Sequence, residues 1–246
     1  MKRIEIDAKN LYYRDLNDQI HRAIRQGARD ILLQNVNGQR YIGDGIRGKV
    51  KIRIQGVPGN DLAVFMDGPT IVTSSNAQDA VANTMNAGRV VVHGDAGDVL
   101  GYGMRGGELF IKGNVGYRVG IHMKSFKKRI PVIIIGGTAR DFLGEYQVGG
   151  VIILLGLNTD GRPLAGNYIG TGMHGGVIYI RGEVDPFRLG KEVSISSIDE
   201  MDEKRLRLYL KEYCEDFGLS LDDVMSNKFI KLLPTHLRPY GRIYAY

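Results

Sequence analysis

The chain has 246 residues, 43% of them hydrophobic, with 33 Lys+Arg against 27 Asp+Glu for a formal net charge of +6. That is enough apolar material for a sizeable core, and the single cysteine, Cys214, excludes an intramolecular disulfide and a cysteine-cluster metal site. Glycine is the outlier at 34 residues, close to double the ordinary share of about 7%, so a turn-rich β architecture is expected; seven prolines and no Gly-X-Y period exclude collagen.

In chain order, the opening MKRIEIDAKN lacks the apolar stretch of a secretory leader, and the longest apolar runs, such as VIILLG at 151–156, are far too short to span a bilayer. A cytoplasmic, membrane-free protein is the expectation. Arg3–Asp7 alternates like a strand. Asn17–Gln26 carries Ile20, Ala23 and Ile24 on one helical face, with Asn17 as the cap and Gly27 as the stop. Ile31–Leu33 reads as a buried strand. Residues 1–40 are therefore expected to form a small α/β cap on the first turn of the central segment.

From residue 41 to 185 the chain repeats itself. DAVANTMNAGRVVVHG (79–94) and DVLGYGMRGGELFIKG (98–113) align at a spacing of 19 residues, and NDLAVFMDGPTIVTSS (60–75) falls in the same register. RYIGDGIRGKVKIRIQG (40–56) is the first copy; after an insertion at Lys124–Arg129, DFLGEYQVGGVIILLG (141–156) and NYIGTGMHGGVIYIRG (167–182) continue it. A short unit of strands and paired glycines, repeated seven times, predicts a mainly β fold. We expect a parallel β-helix about 34 Å long, right-handed as parallel crossovers usually are.

The repeat sorts residues into columns. Met66, Met85, Met104, Met123 and Met173 share one position, expected as an interior row of adaptable thioethers; a soft-metal methionine site is the sharper alternative. Asn60, Asp79, Asp98, Asp141 and Asn167 share another, where short polar side chains bond to backbone amides in turns or, alternatively, bind a cation. The pairs Gly106-Gly107, Gly149-Gly150 and Gly175-Gly176 are expected to supply positive φ at a corner where a Cβ would clash. With Gly43, Gly48, Gly101, Gly113, Gly156, Gly170 and Gly182 they make up the structural turn glycines.

Beyond the repeats, residues 186–246 read as a helical extension and tail. Asp199–Phe217 places Leu206, Tyr209, Leu210, Tyr213 and Phe217 at helical spacing and stops at Gly218; the helix is expected to cap the last turn. Ser220-Leu-Asp-Asp starts a short helical turn. The tail FIKLLPTHLRPYGRIYAY is aromatic and basic, and reads as an extended segment docked on the rod or on a partner.

Constellations for chemistry are missing. GYGMRGGELFIKG (101–113) contains G-x-G-x-x-G, but Gly107 leads into the strand pattern Glu108-Leu109-Phe110-Ile111, so no helix N-terminus is on offer for a pyrophosphate. His21, His93, His122, His174 and His236 are scattered, without metal-ligand spacing. His93 and His122, near repeat corners beside Asp95 and Lys124, are the one conceivable catalytic pair. The densest basic cluster, Lys124–Arg129, is interrupted by Ser125 and Phe126, which argues against nucleic acid. A carbohydrate-active β-helix enzyme would need outer carboxylates such as Asp95, Asp98 and Asp141. No residue is assigned a catalytic, cofactor-binding or metal-binding role.

The repeated G-x-G-x-x-G-G unit resembles the G-x-G-x-G domain at the C-terminus of the glutamate synthase large subunit. GNVGYRVGIHMKS and GEYQVGGVIILLG are similar to stretches of that domain, and NGQRYIGDGIRG resembles the start of its free-standing archaeal-type version. The resemblance covers roughly residues 35–185. It implies a non-catalytic scaffold that holds a separate glutamine amidotransferase and an FMN-containing glutamate synthase subunit, with FMN and the iron–sulfur cluster in those partners and no cofactor in this chain. The scaffold subunit of formylmethanofuran dehydrogenase, a tungsten or molybdenum enzyme, shares the repeat and is the alternative.

Overall fold

The structure, a computed structural model, describes residues 3–159 and 161–235. At its head β1 (Arg3–Asp7) and β2 (Asp30–Asn37) pair in parallel, with Ile4 opposite Ile31 and Ile6 opposite Leu33. Between them α1 (Tyr13–Arg25) buries Leu16, Ile20 and Ala23 in the same core as Ile31, Leu33 and Ile42, which closes the open apolar end of the rod. The helix starts at Tyr13, not Asn17. Tyr12 at the cap makes no side-chain bond, so the sequence carries no start signal there. Asn17 instead donates its side-chain amide to Tyr13 O and Arg40 O, both at 2.9 Å, tying the cap to the first repeat.

Seven parallel strands follow, one per repeat: β3 (Lys51–Val57), β4 (Asp67–Thr73), β5 (Ala87–Val92), β6 (Glu108–Ile111), β7 (Val132–Ile135), β8 (Val148–Leu154) and β9 (Gly175–Arg181). Seven strands close a β-solenoid of about six turns, since the last begins a turn that it does not complete. The side-chain period of two sends alternate residues inward. Ile52, Ile71, Val90, Leu109, Ile133, Ile152 and Ile178 form one inward row, and Ile54, Thr73, Val92, Ile111, Ile135, Leu154 and Ile180 the next. Thr73 is fully buried among them because its hydroxyl donates to Gly56 O at 3.2 Å.

The outward row between them reads Arg53, Val72, Val91, Phe110, Ile134, Ile153, Tyr179. From Val72 onward it is apolar, because α2 (Glu200–Phe217) and the residues around it lie over it. Leu206, Leu210, Tyr213 and Phe217 pack there, and each buried side chain of this size contributes roughly 1.5–3 kcal/mol, well beyond what an isolated helix of this length holds in water. The helix therefore covers a flank of the rod and does not cap its last turn. The end is closed by an antiparallel pair, β10 (Val193–Ser197) and β11 (Phe229–Pro234), with β11 next to β9. A short helix, α3 (Leu221–Met225), capped by Ser220 through the Asp223 N–H at 3.2 Å, leads into β11. The rest of the tail, 236–246, with His236, lies outside the described residues.

The start of α2 is locked to the sheet. Asp199 and Asp202 form a capping box, Tyr179 donates its hydroxyl to Asp202 Oδ1 at 2.7 Å, and Lys231 bridges Asp202 and Asp199. Burial alone would raise the Asp202 pKa, but the bonds from Lys231, Tyr179 and the Asp199 N–H prevail and hold it at about 2. Burial, then the bond to that carboxylate, pushes Tyr179 up to about 12.

Candidate docking face

Opposite the sheet, each repeat contributes a seven-residue loop such as Asp98-Val99-Leu100-Gly101-Tyr102-Gly103-Met104. Its second, fourth and sixth residues are left-handed in every copy, with φ of +61°, +65° and +56° at Val99, Gly101 and Gly103, and +58°, +74° and +56° at Arg118, Gly120 and His122. A non-glycine residue ordinarily disfavours this region by about 1–2 kcal/mol. Here the alternation aims successive N–H groups at the turns above and below: Val99 N–H donates to Tyr117 O at 2.8 Å, Gly101 N–H to Val81 O at 2.8 Å and Gly103 N–H to Ile121 O at 2.9 Å. The third and seventh residues point inward. The seventh is the fully buried row Met66, Met85, Met104, Met123 and Met173. The sequence reading missed that this row passes through Gln147, which is also buried and donates its amide to Gly149 O and Gly150 O at 3.3 and 3.1 Å.

The Asn/Asp column is a ladder. Asp79 Oδ1 accepts the Asp98 N–H at 2.9 Å, Asp98 Oδ1 the Tyr117 N–H at 2.9 Å and Asp141 Oδ1 the Asn167 N–H at 2.8 Å; Asn60 Oδ1 begins it at 3.4 Å from the Asp79 nitrogen. A second ladder went unread, although the spacing of 19 in its first two rungs is visible: Asn76 accepts from Asp95 N–H at 2.9 Å, Asp95 from Asn114 at 2.6 Å and, across a longer turn, Asn114 from Thr138 at 2.9 Å. Asp95, Asp98 and Asp141 are thus all engaged with backbone. Among the described residues no group of three or more His, Cys, Asp or Glu is placed to hold a metal ion.

The turn glycines divide in two. Gly43, Gly48, Gly101, Gly107, Gly150, Gly156, Gly170, Gly176 and Gly182 have positive φ. Gly106, Gly113, Gly149 and Gly175 do not, so only the second member of each Gly-Gly pair is left-handed. The first members and Gly113 are glycine because of close approach. A Cβ would meet Asn86 O at Gly106, the Asp95 carboxylate at Gly113, Ser125 N at Gly149 and Val148 O at Gly175.

His93 and His122 do not meet as a pair. His93 sits on the helix side, edge-on to Phe217 at 5.0 Å, and His122 on the loop side. There His122 stacks on Tyr146 (5.3 Å, 9° between planes) and meets Tyr102 edge-on at 5.8 Å. Beside this ridge the Arg118 guanidinium lies 4.4 Å from the Phe142 ring centre, and Phe142 stacks on Tyr168 at 4.9 Å. Arg118 also pairs with the buried Glu145. Phe65, Tyr102, Tyr146 and Tyr168 are 54%, 41%, 44% and 54% exposed. From Tyr168 the surface continues into a shallow apolar groove of about 810 Å³ at the rod's end, walled by Leu189, Val193, Ile195 and the fully exposed Phe187. Rigid aromatic rings with arginine beside them, left uncovered, have the composition of a partner interface.

The comparisons agree with this architecture. An uncharacterized protein of Methanocaldococcus jannaschii is 49% identical over 254 residues, covering 100% of this chain and 97% of that protein. In fold the chain is similar to a chain of the formyltransferase/hydrolase complex from Methylorubrum extorquens, solved in complex with methylofuran, at a TM-score of 0.67 and 18% identity, over 96% of this chain and 100% of that one. Among the described residues no helix is long and apolar enough to cross a membrane. The profile of the GXGXG motif matches residues 14–238, nearly the whole length, and the chain belongs to the GXGXG motif family, consistent with a domain of the glutamate synthase type.

Proposed function

We propose that this chain is a non-catalytic structural subunit of a multi-subunit enzyme complex, and that the complex is of the formyl-transferring, formylmethanofuran dehydrogenase-like kind. The observation that carries the reading is the end-to-end likeness in fold to a chain of a formyltransferase/hydrolase complex, with neither chain leaving a large part unmatched. The uncovered aromatic ridge supplies the surface such a role needs, and the carboxylates that a carbohydrate-active enzyme would use, Asp95, Asp98 and Asp141, each accept a backbone N–H.

Glutamate synthase is the second reading, favoured by the segments around GNVGYRVGIHMKS and by the family match. In that case the partners are a glutamine amidotransferase and an FMN-containing synthase subunit, which hold the FMN and the iron–sulfur cluster. Affinity capture of the full chain from its native cell extract, with identification of the proteins that co-elute, separates the two. Formyltransferase- or molybdopterin-type subunits are expected; amidotransferase and flavoprotein subunits would install the second reading, and a chain that elutes alone at low salt would sink both.

A further inference from the structure

The Asn/Asp ladder has a rule that is wholly abandoned at one rung. Each rung needs an Asn or Asp in one turn and, in the next, an amide preceded by glycine. At Gly97, Gly116 and Gly166 a Cβ would strike the Asp79, Asp98 and Asp141 carboxylates. Gln78 replaces the glycine once, and the Asn60 bond there stretches to 3.4 Å. Only between Tyr117 and Arg140 are both partners replaced: Tyr117 stands where the carboxylate belongs and Arg140 where the glycine belongs. The rung is abandoned, and an arginine side chain is placed on the surface.

That surface is a cleft of about 250 Å³ lined by Tyr117, Thr138, Arg140, Asp141, Arg162 and Arg188. Its three arginines come from separate elements: Arg140 from the lead-in to a loop, Arg162 from the crossover between β8 and β9, and Arg188 from the 3-10 turn Pro186–Arg188. Among the described residues Arg140 and Arg162 have no ion pair and no side-chain hydrogen bond, and Arg188 reaches only Asn167 Oδ1 at 3.4 Å. Among the described residues that line the cleft one carboxylate, Asp141, faces them, and its Oδ1 already accepts the Asn167 N–H. Nearby Arg118 is neutralised by Glu145. Uncompensated like charges on a concave wall raise the local positive potential, and guanidinium forks match oxyanions bidentately.

We propose that this cleft binds a small multivalent oxyanion, bearing phosphate or carboxylate groups. Its volume lies below the range of about 300–1,000 Å³ typical of larger ligands, which limits the occupant to a few heavy atoms or to the acidic end of a longer molecule. The assignment is independent of the scaffold reading, because it rests on the arginines alone.

Isothermal titration of the full chain at low salt with inorganic pyrophosphate and, separately, with citrate tests it. Saturable binding is expected, weakened at least about tenfold in Arg140→Gly/Arg162→Ala. Arg140→Gly restores the residue that neighbouring rungs use, so the variant is expected to melt like the parent. Lys51→Ala, on the sheet side, is the control that should not change affinity. A response to pyrophosphate alone assigns a phosphate ligand, and to citrate alone a carboxylate one. No binding of either anion, or equal binding by the double variant, overturns the proposal.

Discussion

The sheet wall and the loop wall of this solenoid both stack turn on turn through main-chain bonds, but with different backbone conformations and different side-chain burial. In the sheet wall, each of β5–β9 carries a continuous apolar run of three or four residues, such as Val132–Ile135, because both faces are covered, one by the interior and one by α2. In the loop wall every second residue is left-handed, and the backbone bonds between turns tolerate Ala, Val, Arg, His or Tyr where glycine would be easiest. Main-chain bonds join successive turns in both walls; the sheet wall adds side-chain burial on both of its faces, and the loop wall buries side chains only on its inner one. The loop wall is therefore free to vary its outward residues, and both the aromatic ridge and the arginine cleft lie there.

The largest break in that contrast should come from Phe110, 1% exposed between the sheet and Tyr213, whose ring is 5.7 Å away. Phe110→Ala is expected to cost about 3–5 kcal/mol in urea unfolding. A loss below about 1 kcal/mol would mean that α2 does not depend on the sheet's outer row.

Next in size is the lock at the start of α2. The Asp202 carboxyl, held at about 2 against an ordinary 3.8, contributes stability that is complete above about pH 4 and is lost as pH falls toward 2. The amount is roughly 2 kcal/mol. Asp202→Asn should flatten this part of the stability–pH curve, and parallel curves for parent and variant would refute the lock.

The smallest effect tests the loop wall. Val99 sits at φ +61°, so Val99→Gly should be neutral or stabilising by about 0.5 kcal/mol, relief of left-handed strain slightly exceeding the entropy of glycine. The same change at Val91 in β5 should cost at least about 2 kcal/mol, through lost burial and a freer unfolded chain. Thermal melts showing equal losses at both sites would erase the distinction between the walls.

Much of this was legible because a repeat converts sequence position into spatial position. Met66 through Met123 at a spacing of 19 predicts a buried row, and the Asp199–Gly218 signals bound α2 within a residue. The unread features lack that regularity. His122 and Tyr146 share the sixth place of their loops, but other turns put Phe, Thr or Gly there, and Tyr102, edge-on to His122, occupies the fifth, so the ridge as a whole does not appear as a column. Tyr12 carries no cap signal, and the start of α1 slipped accordingly.

By itself, then, the sequence determined the solenoid, its rows and its family likeness, since each follows from residues related by a fixed local period. The placement of α2 on the flank, the closing of the rod by β11 and β10, the aromatic ridge and the meeting of Arg140, Arg162 and Arg188 were decided by tertiary structure. Each depends on which turn comes to lie beside which. That is a matter of long-range packing, where apolar faces without a periodic partner find the surface that buries them best.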